Sequence, residues 1–164
     1  MNKLNYFLSF LILSLNLFAD PLTKPTSFSK DLYKAQILEG NYSDRIQHPD
    51  DFLGFGLGER VANPFQISQA VRAYQKQSDR IKVIEYGRTH EDRPLFAVFI
   101  SSPSNIDRLS EIEQDISKLA DARNTTDSEA KELIDSLPAI AWMAYSIHGN
   151  ETSGADAALA AIYH

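Results

Sequence analysis

The stretch that decides the fold runs from Pro138 to Tyr163 and reads PAIAWMAYSIHGNETSGADAALAAIY. Nearly every residue from Ala139 to Ile147 is apolar, which is the pattern of a strand covered on both faces inside an α/β sheet. A polar turn follows, and the small residues from Ala155 to Ala161 then predict a closely packed helix. We therefore expect a buried strand, a polar turn and a helix, in that order.

The polar turn contains two residue types that bind metal. His148 and Glu151 lie three positions apart, directly after the predicted strand. In open α/β sheets, ligands bind outside the carboxyl ends of the strands, which is where this turn is expected to lie. Neutral imidazole and carboxylate are both good ligands of Zn²⁺, and a turn can aim two such side chains at one point. His148 and Glu151 are therefore candidate zinc ligands.

Two ligands do not complete such a site. A catalytic zinc takes about three protein ligands and keeps an open position for water, and the pattern H-x-x-E also arises often by chance. The alternative is an ordinary strand-to-helix connection whose helix is capped by Thr152 or Ser153. We expect Gly149 to allow a sharp turn after the histidine and Gly154 to allow the helix to approach the sheet closely.

The segments before the turn predict the other elements. Asn63-Pro64 is a helix start, with Asn as N-cap and Pro in the first turn, and the helix is expected to end at about Ser78. Arg80–Tyr86 and Leu95–Ser101 are rich in strand-forming residues, and a polar connection joins them. This part of the chain therefore predicts a helix followed by a pair of strands.

Two further helices are predicted between the strand pair and the stretch quoted first. Ser102-Pro103 opens a long helix with apolar residues at helical spacing as far as Leu119. Thr126, with Glu129 three residues later, predicts a capping box for the next helix. The order of elements predicts an α/β fold, with helices on both faces of a mixed β-sheet.

Two other motifs are not interpreted as functional sites. Gly54–Gly58 reads GFGLG, but no apolar strand leads into it and no Lys-Ser/Thr follows, so a phosphate-binding loop is not predicted. We interpret it as a loop that packs Phe52 and Phe55 against the domain. His90 and Glu91 are adjacent on the connection between the predicted strands, where we expect both to be exposed to solvent.

Composition limits the classes of partner. The 164 residues carry a net charge of −6 and contain no cysteine. An acidic chain without a basic patch argues against a nucleic acid partner, because the phosphate backbone selects clustered Lys and Arg. Without cysteine there is no disulfide and no lipid attached at a cysteine, so packing or metal has to stabilise the fold.

The first residues differ in character from the rest. Lys3 precedes a mostly apolar run from Leu4 to Leu15, shorter than the roughly 20 residues that span a membrane. This run and the small Ala19 predict a cleavable signal peptide at residues 1–19, and hence a secreted or periplasmic protein without a stable membrane anchor. An uncleaved anchor is the alternative. Residues 20–43 are predicted to be a flexible lead-in.

Three segments in this order resemble the front part of the catalytic domain of the zinc metallocarboxypeptidases, the carboxypeptidase A-like family. They are PDDFLGFGLGERVANP from Pro49 to Pro64, EYGRTHEDRPLFAVFIS from Glu85 to Ser101, and HGNETSG from His148 to Gly154. The resemblance covers residues 44–164, which it identifies as the amino-terminal part of such a domain. Many members carry Arg where this chain has Asn150.

The resemblance implies an α/β/α sandwich that hydrolyses the carboxy-terminal peptide bond of a peptide or protein substrate. It implies Zn²⁺ as cofactor, with His148 and Glu151 as the first two ligands. In the family, the third ligand, the Arg that binds the substrate carboxylate and the Glu that acts as general base all come later in the domain. We therefore assign no catalytic residue within the chain and expect a fragment that is inactive alone.

Two alternatives remain open. Related zinc deacylases or amidases, which act on acylated amino acids or cell-wall peptides, share the H-x-x-E turn. The other alternative is a metal-free binding module that retains the fold. Zinc stoichiometry and the sequence that follows His164 would distinguish these three functions.

Overall fold

The structure is a computed structural model that describes residues 38–164. The predicted signal peptide and most of the predicted lead-in lie outside these residues. None of the described helices is long and apolar enough to cross a membrane. In chain order, the described elements are α1 (Pro49–Leu53), α2 (Pro64–Gln77), β1 (Ile81–Arg88), β2 (Pro94–Ile100), α3 (Pro103–Asp107), α4 (Leu109–Ala120), α5 (Asp127–Ser136) and α6 (Ser153–Tyr163).

The sheet of the described region consists of β1 and β2, which pair antiparallel. Ile81 lies opposite Ile100 at one end and Arg88 lies opposite Pro94 at the other. The predicted strand pair is confirmed, with each boundary within two residues of the prediction. The predicted mixture of α and β structure is confirmed as well.

Helix α2 forms as its sequence predicts. Asn63 is the N-cap and accepts a hydrogen bond from the backbone N–H of Gln66, while the Gln66 side chain accepts one from the backbone N–H of Asn63. This reciprocal capping box satisfies two N–H groups that have no partner within the helix. The face that carries Ala70, Val71 and Tyr74 is buried. The helix is thus fixed at its start by local bonds and along its length by the core.

The core lies where α2 meets α1, β1 and α6. Phe52 and Phe55 pack against it, as predicted for the GFGLG region. The sequence did not predict α1, which has His48 as its N-cap and ends at Gly54 in the left-handed conformation that glycine adopts most readily. The buried core side chains are Leu53, Ala62, Ala70, Val71, Tyr74, Ile81 and Leu159.

The region after the strand pair differs from the prediction in one helix, which is divided into two. The single long helix predicted after Ser102 is instead two helices, because Arg108 between α3 and α4 has φ −105° and ψ 22° and interrupts the helical hydrogen bonds. The next prediction is confirmed: Thr126 caps α5, and Glu129 closes the capping box. The strand-helix-helix order that leads to the candidate site therefore holds, with a break in the first helix.

The prediction of a buried strand at Ala139–Ile147 is wrong. The segment forms no strand, pairs with neither β1 nor β2, and is exposed along its whole length. Trp142 is 84% exposed and Ile147 is 74% exposed. A strand buried on both faces needs neighbours that provide hydrogen bonds and apolar contacts. Within residues 38–164, β1 and β2 pair with each other and not with this segment.

Candidate metal site

A tight turn brings the two predicted zinc ligands together. The backbone N–H of Glu151 donates a hydrogen bond to the carbonyl oxygen of His148 at 3.0 Å, which closes the turn. The side chains of the same two residues also meet, with His148 Nδ1 3.0 Å from Glu151 Oε1. The two side chains are 68% and 64% exposed. The spacing of three residues thus places the two potential metal-binding atoms, His148 Nδ1 and Glu151 Oε1, side by side at an exposed position, as the sequence predicts.

The distance between these atoms fits a shared metal ion. With bonds of about 2.0–2.2 Å in a tetrahedral arrangement, two zinc ligand atoms lie about 3.3 Å apart. The observed 3.0 Å is a hydrogen-bonding contact between the two side chains, and a small separation of His148 Nδ1 and Glu151 Oε1 would let both bind one ion in place of the shared proton. Imidazole nitrogen and carboxylate oxygen are also donor types that zinc prefers. The pair therefore suits zinc in both chemistry and spacing.

No third ligand joins the pair within the described residues. Residues 38–164 contain no group of three or more His, Cys, Asp or Glu side chains that could hold a metal ion. His164, which the sequence analysis did not assign as a ligand, has its Nδ1 2.8 Å from the hydroxyl of Tyr42. His90 is exposed, as predicted, and the neighbouring Glu91 forms an ion pair with Arg93.

The backbone just before the pair is strained at Ser146. This residue has φ 57°, in the left-handed region, which costs a non-glycine residue on the order of 1 kcal/mol or more. Gly154, in the first turn of α6, packs directly against it, since a Cβ atom at Gly154 would lie 3.0 Å from Ser146 N. The predicted close approach at Gly154 is therefore present, although it is made to the Ser146 backbone and not to a sheet.

Two other predictions about the turn need correction or qualification. The predicted turn after His148 is present and contains Gly149, but it does not require glycine there, because the φ of Gly149 is not positive and a Cβ atom would meet nothing within 4 Å. Thr152 occupies the N-cap position of α6, but its side chain makes no capping hydrogen bond. The turn is therefore closed by the backbone bond from Glu151 to His148 and not by a side-chain cap.

A shallow open cavity of about 170 Å³ lies beside the pair. It is smaller than the roughly 300–1,000 Å³ of common small-molecule pockets, so it does not form a small-molecule site by itself. Glu151 contributes to this wall together with apolar side chains. The full lining consists of Ala144, Tyr145, Ser146, Ile147, Glu151, Ser153 and Gly154.

Asp156 connects the helix after the site to an early part of the chain. Its Oδ1 accepts a hydrogen bond at 3.1 Å from the backbone N–H of Ala62, which is buried. The bond attaches the end of the Pro49–Pro64 segment to the first turn of α6. No sequence motif singled out Asp156. The one local signal was an acidic side chain in the first turn of a helix, where the helix dipole favours negative charge.

Comparison with known proteins adds little. No family model matches the chain, and no solved structure matches it significantly. Two curated relatives are the leucine--tRNA ligases of Prochlorococcus marinus strains NATL1A and NATL2A, which are 27% and 28% identical to it over 108 residues, or 65% of this chain. The matched region spans 12% of the length of each ligase. This similarity is too low and too partial to show a family.

Proposed function

We propose that this chain is the amino-terminal part of an exported zinc metallocarboxypeptidase, which hydrolyses the carboxy-terminal peptide bond of peptides or proteins. The observation that carries the proposal is the 3.0 Å approach of His148 Nδ1 to Glu151 Oε1 on an exposed turn. Bound zinc polarises the scissile carbonyl and lowers the pKa of its water towards about 7. His148 and Glu151 hold the metal and do not transfer the proton.

The arrangement of the three family-like segments supports this proposal. Asp156, just after the HGNETSG segment, binds the end of the Pro49–Pro64 segment through Ala62. Helix α2 packs against both β1 and α6, and thereby links the strand pair to the helix that follows the candidate ligands. The finer fold, a mixed sheet with helices on both faces, belongs to the same proposal, with β1 and β2 as one part of that sheet.

We also propose that the chain has no peptidase activity by itself. A four-coordinate zinc held by His148 and Glu151 has two positions left, and residues 38–164 contain no third metal-binding side chain beside the pair. The third ligand, the general base and the Arg for the substrate carboxylate would come from chain outside these residues. Turnover of carboxy-terminal peptide substrates by the 164-residue chain, removed by chelation and by His148→Ala, would contradict this.

The test of the zinc site uses the longer protein. We expect His148→Ala and Glu151→Ala each to abolish bound zinc and peptidase activity. Because both side chains are exposed, each change should alter the free energy of unfolding of the zinc-free protein by no more than about 0.5 kcal/mol. Zinc content per chain, hydrolysis of carboxy-terminal peptide substrates and urea unfolding provide the measurements. Together, these measurements distinguish a variant that has lost a zinc ligand from a variant that has lost its fold.

His90→Ala is the matched control, because His90 is an exposed histidine on the connection between β1 and β2. The proposal fails if His148→Ala retains one zinc per chain, or if His90→Ala loses it. The same protein distinguishes the alternatives. A zinc deacylase or amidase would bind zinc at the pair but cleave acylated amino acids or cell-wall peptides, and a binding module would bind no zinc.

A further inference from the structure

The two candidate zinc ligands receive little support from packing of their own side chains. His148 and Glu151 are 68% and 64% exposed, and the contact that their side chains make is with each other. A metal site binds its ion tightly only when surrounding residues hold the ligands close to the binding geometry. The backbone on either side of the turn therefore decides how well this pair is placed for zinc.

Helix α6 supports the turn on the side of Glu151. Leu159 on this helix is fully buried in the core, and Asp156 in its first turn accepts the hydrogen bond from Ala62. Both contacts come after the turn in the chain, so they do not depend on what covers the apolar segment before it. The start of α6 is therefore a fixed point from which Glu151 is held.

Ser146 lies on the other side of the turn, two residues before His148, and packs against the same helix. A Cβ atom at Gly154 would lie 3.0 Å from Ser146 N and 3.7 Å from Ser146 Cα. The φ of Gly154 is not positive, so glycine is needed here for space and not for conformation. This contact closes the loop 147–153, which contains both candidate ligands.

The conformation of Ser146 is a second sign that this position is constrained. Its φ of 57° lies in the left-handed region, which an extended strand does not adopt. Residues persist in that region only where the surrounding structure imposes it, and they cluster at functional sites. Glycine and asparagine adopt it readily, whereas a β-branched residue is an outlier there.

We infer that Ser146 and Gly154 are positioning residues for zinc, whose backbone contact holds His148 and Glu151 where both can bind one ion. The inference rests on the proposed zinc site and extends it to two residues that are not ligands. It is compatible with any partner of the apolar segment in a complete sheet, because both sides of the contact come after Tyr145.

Zinc affinity of the longer protein tests this inference without reference to activity. Competition with a chelator, under conditions in which circular dichroism shows each variant to be folded, gives the dissociation constant. Gly154→Ala should weaken zinc binding about 10–100-fold, the usual range for residues that orient metal ligands. Gly149→Ala is the matched control, because a Cβ atom there would meet nothing within 4 Å although Gly149 lies between the ligands. It should bind zinc as tightly as the wild type.

Three substitutions of Ser146 separate its backbone conformation from its side chain. Ser146→Val should weaken zinc binding to a similar degree, because valine disfavours the left-handed region. Ser146→Gly and Ser146→Asn should keep the wild-type affinity, because both residues adopt that region more readily than serine does. Ser128→Val, at an exposed position on α5, is the control for the introduction of valine and should also keep it.

The outcomes distinguish this inference from the proposed function. If His148→Ala loses zinc but Gly154→Ala and Ser146→Val keep the wild-type affinity, the positioning role is wrong and the zinc site stands. Loss of affinity in Ser146→Gly and Ser146→Asn would also overturn the positioning role, because it would show that the serine side chain itself is needed. If His148→Ala keeps its zinc, the proposed site fails and the inference fails with it. If Ser146→Val does not fold, the comparison of Gly154→Ala with Gly149→Ala decides.

Discussion

Asp156 Oδ1 accepts a hydrogen bond at 3.1 Å from the backbone N–H of Ala62, a residue 94 positions earlier in the chain. Ala62 is only 7% exposed, so its N–H group has little access to water in place of this acceptor. The bond therefore joins the loop before α2 to the helix that follows the candidate zinc ligands.

We expect Asp156→Ala to lower the free energy of unfolding by about 1–3 kcal/mol, because it leaves a buried N–H without a partner. Asp156→Asn keeps an oxygen atom that can accept this hydrogen bond, so it should lower the free energy of unfolding clearly less than Asp156→Ala does. Urea unfolding measures both changes. Asp135→Ala is the control, because Asp135 is an exposed helix carboxylate that pairs with Lys131. If Asp156→Asn is as destabilising as Asp156→Ala, the charge and not the hydrogen bond matters.

The two glycines near the site should respond differently to alanine. Gly154→Ala places a Cβ atom 3.0 Å from Ser146 N, so it should displace the strained backbone before His148 and destabilise the chain by about 1–3 kcal/mol. A Cβ atom at Gly149 would meet nothing within 4 Å, and the φ of Gly149 is not positive, so alanine can adopt the same backbone conformation. It should be neutral or stabilise by up to about 1 kcal/mol. Thermal and urea unfolding provide the comparison, and equal effects at the two positions would contradict this account.

Tyr74 should make stability depend on alkaline pH. Its hydroxyl is buried without a hydrogen-bond partner among the described residues, and burial, followed by the nearby Tyr163 and Asp51, raises the pKa of Tyr74. The unfolded chain ionises this phenol near pH 10, whereas the folded chain keeps it protonated. Above about pH 10 the unfolded state therefore binds fewer protons, and the free energy of unfolding falls by up to about 1.4 kcal/mol per pH unit.

Tyr74→Phe should remove most of this fall, and at neutral pH it should be neutral or slightly stabilising because an unpaired buried hydroxyl is lost. Urea midpoints measured on either side of pH 10 provide the test. Tyr86→Phe is the control, since Tyr86 is 67% exposed. An unchanged alkaline slope in Tyr74→Phe would show that another group causes it.

The predicted export signal has a direct test. The chain recovered outside the cytoplasm should begin at Asp20, because the small Ala19 ends an apolar run of signal length. Amino-terminal sequencing of the exported protein measures this. Retention of Met1 together with recovery in the membrane fraction would favour the uncleaved anchor.

The sequence predicted those parts of the fold whose causes lie within a few residues. The Asn63-Pro64 helix start and the capping box of Thr126 with Glu129 are local, and both helices begin where these residues indicate. The approach of His148 to Glu151 is local as well, because a turn of this length brings residues three apart to one side. Such features need no knowledge of the rest of the chain.

The features that the sequence did not predict depend on distant contacts. The apolar composition of Ala139–Ile147 indicates that it needs a covered environment but not which residues would cover it. Ser146 adopts a left-handed φ that its residue type disfavours, and Gly154 packs against it from the following helix. The bond from Ala62 to Asp156 spans 94 residues, and no local pattern specifies the partner.

Leu159, on α6, is fully buried in a core whose other members come from Leu53 to Ile81. A ribosome adds roughly 5–20 residues per second, so the roughly 80 residues between Ile81 and Leu159 take about 4–16 s to synthesise. Throughout that interval the apolar face of α2 has no α6 to cover it. The core therefore cannot be completed until α6 has been synthesised.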